Sequence, residues 1–342
     1  MRRSACLSAF AKKSLNGIAA LVLSTAAVAA HADYSKHPNA QPFIERMVKE
    51  HGFKEDEVRY VLAGAEKKES ILKAIAKPAE KRLTWWEYRR IFLDDKRIRK
   101  GVDFWKQHAQ AIKEASEQYS VDPEIIVAII GVETRYGENM GSHRVIDALA
   151  TLGLDYPPRS SFFSKELESF LLLTREQKQD PFTLKGSYAG AMGYGQFMPS
   201  SYRAYARDYD GDGIVDIWTN PEDAIASVAN YFRAHGWERG GQVLVPVGNM
   251  KAYRIKDSSL NNGKRPKLTQ SYLAKQDIKP AVSIEDRDAK VALVSYQDKA
   301  QNELWMGLPN FYTITRYNRS RLYARSVWEL SQAIQERYNQ TL

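Results

Sequence analysis

Residues 122–137 read Asp122-Pro123-Glu124-Ile125-Ile126-Val127-Ala128-Ile129-Ile130-Gly131-Val132-Glu133-Thr134-Arg135-Tyr136-Gly137. An acid at the N-cap followed by proline at the first helical position predicts a helix start. No polar residue interrupts Ile125 to Val132, and a helix that is apolar all round is buried on every face. The segment is therefore expected at the centre of a mainly helical protein, with Gly137 closing the helix.

Helical periodicity continues upstream. Phe43, Ile44 and Met47 recur at helix spacing and stop before Gly52, Val58, Val61 and Leu62 mark a second helix, and Ile71 to Ala76 a third, stopped by Lys77-Pro78. Between Thr84 and Ala115, Trp85, Trp86, Tyr88, Ile91, Phe92, Phe104 and Trp105 read mostly as core. Downstream, helices are expected over 164–178 and 221–235. The pattern then changes: Gln242–Val247, Lys290–Tyr296 and Leu304–Thr315 are strand-like, and Asn261-Asn262-Gly263 marks a turn in the loop-rich stretch 248–289. Helical spacing returns at Leu322, Tyr323, Val327, Leu330 and Ile334. The expectation is an α+β, mainly helical protein. Its parts would be a helical N-terminal domain (33–120), a core (121–240), a small inserted β domain (241–315) and a last helix (316–342) that returns to the helical part.

The first 32 residues are set apart. Arg2, Arg3, Lys12 and Lys13 precede the apolar stretch Ile18–Ala30, and Ala30-His31-Ala32 offers a small-residue cleavage site, the pattern of a secretory signal peptide (1–32). That run is too short for a membrane span. The single cysteine, Cys6, lies before the apolar stretch, whereas a lipid-anchored chain would need one at the cleavage point. The mature chain would then hold no cysteine, which excludes disulfide stapling and thiol catalysis. It would be a soluble periplasmic protein. Removing the segment leaves 46 basic against 41 acidic residues, so the net charge falls from +9 to +5, which suits an anionic polymer.

Three groups of residues carry candidate chemistry. Glu133 ends the buried run, where desolvation and the negative end of the helix dipole both favour a protonated carboxyl, as a general acid requires. From placement alone, a structural carboxyl bonding a neighbouring loop fits as well. Gly186 to Ser200 interleaves Gly190, Gly193 and Gly195 with Tyr188, Tyr194 and Gln196; such a loop brings backbone, amide and ring faces close to a ligand, as sugar binding needs. Asp208-Tyr209-Asp210-Gly211-Asp212-Gly213-Ile214-Val215-Asp216 places acids at positions 1, 3, 5 and 9 and glycine at 6 of an EF-hand-like calcium loop. Position 12 is Thr219, so Glu222 or Asp223 would have to close the site. No H-E-x-x-H or G-x-S-x-G pattern supports a zinc or serine hydrolase. Lys96, Arg97, Arg99 and Lys100 read as a solvated helix face, so no nucleic-acid partner is expected.

Together, Gly131–Gly137, Gly190–Ser200, the Asp208–Asp216 loop and Ala229-Asn230-Tyr231-Phe232 resemble the lytic murein transglycosylase B family, in order and spacing, over essentially the whole mature chain. The resemblance implies a lysozyme-like core with an EF-hand-like loop and structural Ca²⁺, and no cofactor for catalysis. It puts the catalytic role on Glu133 and saccharide contacts on Tyr88, Ser187, Gln196, Phe197, Tyr231, Tyr317 and Asn318. A cleft tyrosine of the family is Phe162 here. The implied metal ligands are Asp208, Asp210, Asp212, the Ile214 carbonyl and Asp223. The implied activity is non-hydrolytic cleavage of peptidoglycan glycan strands to 1,6-anhydromuramoyl products, with cell-wall enzyme complexes as further partners. A hydrolytic muramidase and a non-catalytic peptidoglycan-binding protein are the alternatives.

Overall fold

A computed structural model describes residues 33–76, 83–248, 260, 265–286, 288–299 and 302–342. The N-terminal segment 1–32, the Lys77-Pro78 stop and the Asn261-Asn262-Gly263 turn lie outside the described residues. The chain runs α1 (Ala40–His51), α2 (Glu55–Ala63), α3 (Glu69–Ile75), α4 (Trp85–Phe92), α5 (Asp95–Gln107), α6 (Ala109–Tyr119) and α7 (Pro123–Thr134). It continues through β1 (His143–Arg144), α8 (Val145–Asp155), α9 (Ser160–Glu176), β2 (Lys185–Gly186), α10 (Pro199–Tyr205) and α11 (Pro221–Ala234). Last come β3 (Leu244–Pro246), α12 (Gln270–Lys275), β4 (Ala292–Gln297), β5 (Asn302–Gly307), α13 (Pro309–Tyr317) and α14 (Arg321–Asn339).

Helix α7 is the axis of the fold. Ile126, Val127, Ala128, Ile129 and Ile130 are fully buried, and α5, α6, α11 and α14 pack around them. Each buried isoleucine contributes about 1.5–3 kcal/mol by leaving water, so the all-apolar run is stable only inside such a cage. The helix stops one turn before Gly137. Arg135 takes the left-handed conformation (φ 54°) as C-cap, and Tyr136 follows it (φ 63°). The Tyr136 ring then folds back over Gly131, where any Cβ would overlap its hydroxyl, and that hydroxyl donates to the Arg97 carbonyl. At the other end Asp122 occupies the N-cap position but does not cap. Its carboxylate accepts instead from Trp237 Nε1 (2.9 Å) and the Gly240 amide (3.0 Å), tying α7 to the chain after α11.

The N-terminal helices are clamped to α8. Buried Asp147 accepts from the Glu66 amide (2.8 Å) and from Arg144, and Tyr34 donates to Asp155 (2.7 Å). The small sheet is antiparallel in the order β3-β5-β4, with Met306 of β5 paired to Val245 on one side and Leu293 on the other. It has its own core of Val245, Leu273, Ile278, Val291, Leu293, Leu304 and Met306, separate from the large helical one. Arg325 of α14 holds this unit to the helices. Its guanidinium lies 4.4–4.6 Å from the rings of Trp85, Tyr296 and Trp305 and pairs with Glu303 and Glu329.

Two expectations are corrected. Leu304–Thr315 is not one strand: pairing ends at Gly307, and Pro309 starts α13, whose Phe311, Ile314 and Thr315 recur at helical spacing. Arg97 is not on a solvated face, being 5% exposed with its guanidinium over the Phe92 ring. Burial and the nearby Arg135 pull its proton affinity below the ordinary arginine value. Arg99 does stay exposed on the same helix.

Candidate active site

Glu133 sits in the last turn of α7, half exposed, where the buried helix reaches the surface. Its Oε1 accepts a 2.5 Å hydrogen bond from the hydroxyl of Tyr323, a buried residue of α14. Burial raises the Tyr323 phenol well above its ordinary value, and the negative charge of Glu133 adds to this, so the tyrosine remains a donor. Tyr317 is raised for the same two reasons, burial first. Among the described residues, Glu133 is the carboxylate whose charge bears on both phenols.

The adjoining residue fixes the carboxylate's surroundings. Thr134 Oγ1 donates to the Tyr194 carbonyl (3.0 Å) and accepts from the Gly137 amide, so the helix end and the glycine-rich loop are tied together. Within that loop Met192 and Phe197 exchange main-chain hydrogen bonds at 2.9 Å, and Ser187 Oγ accepts from the Ala191 amide. Gln196, at φ 50°, donates its side-chain amide to the Met140 and Gly193 carbonyls. Gly193 has φ 67°, and any Cβ there would run into the Ile217 carbonyl. A left-handed residue under such a close approach has to be glycine.

Of the predicted saccharide residues, Phe197, Tyr231 and Tyr317 form one aromatic cluster, with centroids 4.7–6.0 Å apart. Tyr317 donates to the Gly195 carbonyl and Tyr231 to the Arg316 carbonyl, so both hydroxyls position main chain. Tyr88 is buried beside Tyr323, whose proton affinity it helps to raise. Asn318 ends α13 and accepts from the Ser320 amide at the start of α14. Phe162 stands apart. It packs edge-on against Phe163 beneath Arg159 and lines a separate groove of about 620 Å³ with Arg46, Glu166 and Ser200. No hydrogen bond or ring contact among the described residues joins it to the cluster around Glu133. Tyr323 was missed by sequence reasoning, which read it only as one apolar position of the last helix. Its one sequence signal is a phenol on a buried face, since a buried hydroxyl requires a partner.

The acidic loop lies directly behind. Carboxylate oxygens of Asp208, Asp210 and Asp212 come within 4.8 Å of one another. Asp208 accepts from the Gly211 and Gly213 amides, and Asp212 from the Ile214 amide. Three like charges this close, all hard oxygen donors, fit a bound Ca²⁺. Asp216 turns its carboxylate to the Trp218 and Thr219 amides. Asp223 is fully buried and accepts from the Tyr209 and Asp216 amides at 2.8 and 2.7 Å, bracing both ends of the loop. Glu222 instead faces His108. Of the two acids considered for closing the site, Asp223 is the one placed against the loop; burial, aided by Asp210 and Asp208, pushes it up to about 6. The Tyr194 amide donates to the Ile217 carbonyl (3.0 Å), so the acidic loop, the glycine-rich loop and the end of α7 are bonded in series.

A family profile described as the transglycosylase SLT domain matches residues 35–332. The membrane-bound lytic murein transglycosylase B of Escherichia coli (strain K12) is 45% identical over 311 residues, 88% of this chain and 84% of that protein. The crystal structure of the soluble lytic transglycosylase SltB1 from Pseudomonas aeruginosa superposes with a TM-score of 0.81 at 47% identity, covering 86% of this chain and 98% of that one. The E. coli lytic transglycosylase Slt35 in complex with calcium gives 0.81 at 45% identity, covering 90% and 95%. These neighbours place the helical core in the lysozyme-like class expected from the sequence. The chain belongs to the transglycosylase SLT family and is an enzyme of the lytic murein transglycosylase type.

Proposed function

We propose that this enzyme cuts the β-1,4 bond between N-acetylmuramic acid and N-acetylglucosamine in peptidoglycan and closes a 1,6-anhydro ring, with Glu133 as the only acid/base group. The observation that carries this reading is the Glu133 carboxylate at the end of α7, which accepts from Tyr323 and bears on both buried tyrosines. Hydrolytic glycosidases ordinarily pair two carboxyls, one as acid and one as base or nucleophile. With one, the same group has to serve twice. Glu133 protonates the glycosidic oxygen as the C1–O bond breaks. The resulting carboxylate then takes the proton of the muramoyl 6-hydroxyl, whose oxygen attacks C1. No water is consumed. The sugar's 2-acetamido oxygen stabilises the positive C1 in the interval, and Tyr323 supports the carboxylate form of Glu133 by donating to Oε1.

Ser187, Gln196 and Asn318 supply polar contacts to the glycan, and Tyr88, Phe197, Tyr231 and Tyr317 supply ring surface, whereas Phe162, in its separate groove, would meet only a more distant part of the strand. Because the Tyr231 and Tyr317 hydroxyls already serve the main chain, their share is shape rather than sugar hydrogen bonds. A Ca²⁺ held by Asp208, Asp210, Asp212, the Ile214 carbonyl and Asp223 would stiffen the loop that backs Tyr194; a full set of oxygen ligands suits structure rather than activation of water. The basic and apolar N-terminal pattern, together with this substrate, supports export to the periplasm. No helix among the described residues is long and apolar enough to cross a membrane.

Mass spectrometry of digested sacculi tests the chemistry. Anhydro ends, lighter by one water than hydrolysed ends, are expected. Fully hydrated ends would make the enzyme a muramidase, and a suspension that stays turbid would make the protein a binder only.

A further inference from the structure

A cavity of about 330 Å³ opens at the N-terminal end of α7, lined by Asp122, Glu124, Trp237, Trp328, Gln332 and Gln335 among others. Its size lies at the lower end of the ~300–1,000 Å³ usual for small-ligand pockets. Glu133 lies nine positions on from Glu124 in the same helix, about 13.5 Å along the axis at about 1.5 Å per residue, so this is not the cleft described above.

Glu124 is 8% exposed, and its Oε2 is cut off from solvent with no hydrogen-bond partner among the described residues. An orphaned buried acceptor costs about 1–3 kcal/mol, and more when ionised. Rotation about the terminal side-chain torsion, which is soft, exchanges the two oxygens. The carboxyl therefore keeps an unmet acceptor in either orientation. Burial pushes it up to about 7, with Asp122 adding to the effect and Arg239 opposing it. Asp122 is already committed to Trp237 and Gly240, and Arg239 is exposed to solvent. The cavity thus presents two carboxyls and no buried cation among its lining residues. Gln332 and Gln335 sit on the α14 wall, partly or fully exposed, with amides able both to donate and to accept.

We propose that this cavity is a second binding site, one that takes the primary ammonium group of a peptide side chain, with Glu124 as counter-ion and Gln332 and Gln335 bonding the flanking peptide groups. An ammonium brings three donors to the Glu124 carboxyl, which lines the cavity and has to turn about its soft terminal torsion to bring the buried oxygen to the ligand. Its aliphatic stem packs against the indoles of Trp237 and Trp328, whose faces also attract the cation. Binding favours the ionised carboxyl, so below neutral pH it displaces the Glu124 proton. None of this requires Glu133, and the site stands whether or not the cleavage chemistry above is correct.

The test is titration of the full chain at pH 8 with Nα-acetyl-L-lysine amide, followed by the NMR shift of the Trp328 indole N–H. The control ligand is Nα,Nε-diacetyl-L-lysine amide, which has nearly the same shape and no charge. Saturable binding is expected for the first. It should weaken at least about tenfold, a loss of ~1.4 kcal/mol, for the control and for Glu124→Gln. Gln335→Ala, a change on a partly exposed position, should weaken it several-fold, and Glu133→Gln should leave it unchanged. Equal binding of the diacetyl compound, undiminished binding by Glu124→Gln, or no saturable shift at Trp328 would each overturn the proposal.

Discussion

The two ends of α7 carry a glutamate each, and the two could hardly be treated more differently. Glu124, in the first turn, is the more deeply buried, yet one of its oxygens has no hydrogen-bond partner among the described residues. Glu133, in the last turn, is half exposed and receives a phenol from α14. Burial alone would nominate Glu124 as the reactive acid. What distinguishes Glu133 is its neighbours: a donor at 2.5 Å, an adjoining threonine that fastens the glycine-rich loop, and aromatic rings beyond. Desolvation makes a carboxyl unusual, whereas a catalytic role depends on what is arranged in front of it.

Four experiments press on that contrast. The largest effect is expected from Glu133→Gln, which should lower clearing of a peptidoglycan suspension by ~10²–10⁴-fold while the melting temperature holds; full activity would remove the C-terminal end of α7 from the chemistry. Next is Glu124. Its carboxyl is about 7 in the folded chain against an ordinary 4.5. An unfolded chain loses this proton first, so stability falls as pH rises from 4.5 through 7, and below 4.5 the penalty vanishes because both states are protonated. At ~1.36 kcal/mol per pH unit the cost at pH 8 is on the order of 3 kcal/mol. Glu124→Gln should therefore melt higher than the parent at pH 8 and alongside it at pH 4. A variant less stable at pH 8 would show that the carboxylate has a partner after all.

Removal of calcium comes third. A ligand bound only to the native state at a hundredfold excess over its Kd contributes about 2.7 kcal/mol, so a chelator should lower the melting temperature by several degrees. Activity should fall with it, because the acidic loop supports Tyr194 and, through it, Thr134. An unchanged melting temperature with and without calcium would dismiss the metal. The smallest effect is Tyr323→Phe, which removes one hydrogen bond to a charged group. Water replaces part of it, leaving about a tenfold loss in kcat with KM little changed. A wild-type kcat would reduce Tyr323 to packing.

Much of this was legible in the sequence because it is written locally. The apolar run of α7, the alternating acids of the 208–216 loop and the glycines at 190, 193 and 195 each declare themselves within a dozen residues. The parts that were not legible depend on distant partners. Asp122 has the spacing of an N-cap, but only the fold shows Trp237 drawing its side chain away. Arg97 looks like one charge in a basic run until Phe92 and Tyr136 close around it. The stretch after Gly307 carries β-branched residues that suit a strand, and Pro309 was the clue that it turns helical. Phe162 carries its ring to a groove that no hydrogen bond or ring contact among the described residues joins to the Glu133 cluster, a placement no local pattern discloses.

The Tyr323–Glu133 bond spans 190 residues of chain. A contact so distant in sequence rewards the chain only after the entropy of closing the intervening loop has been met. The glycine-rich and acidic loops can form from nearby sequence, but the carboxylate gains its phenol only once α14 has docked along α7. Arg325, two residues after Tyr323, is held at that docking point by rings from α4, β4 and β5. Loss of α14, by proteolysis or partial unfolding, would therefore take the phenol from Glu133 and one wall from the cage around α7 in the same event.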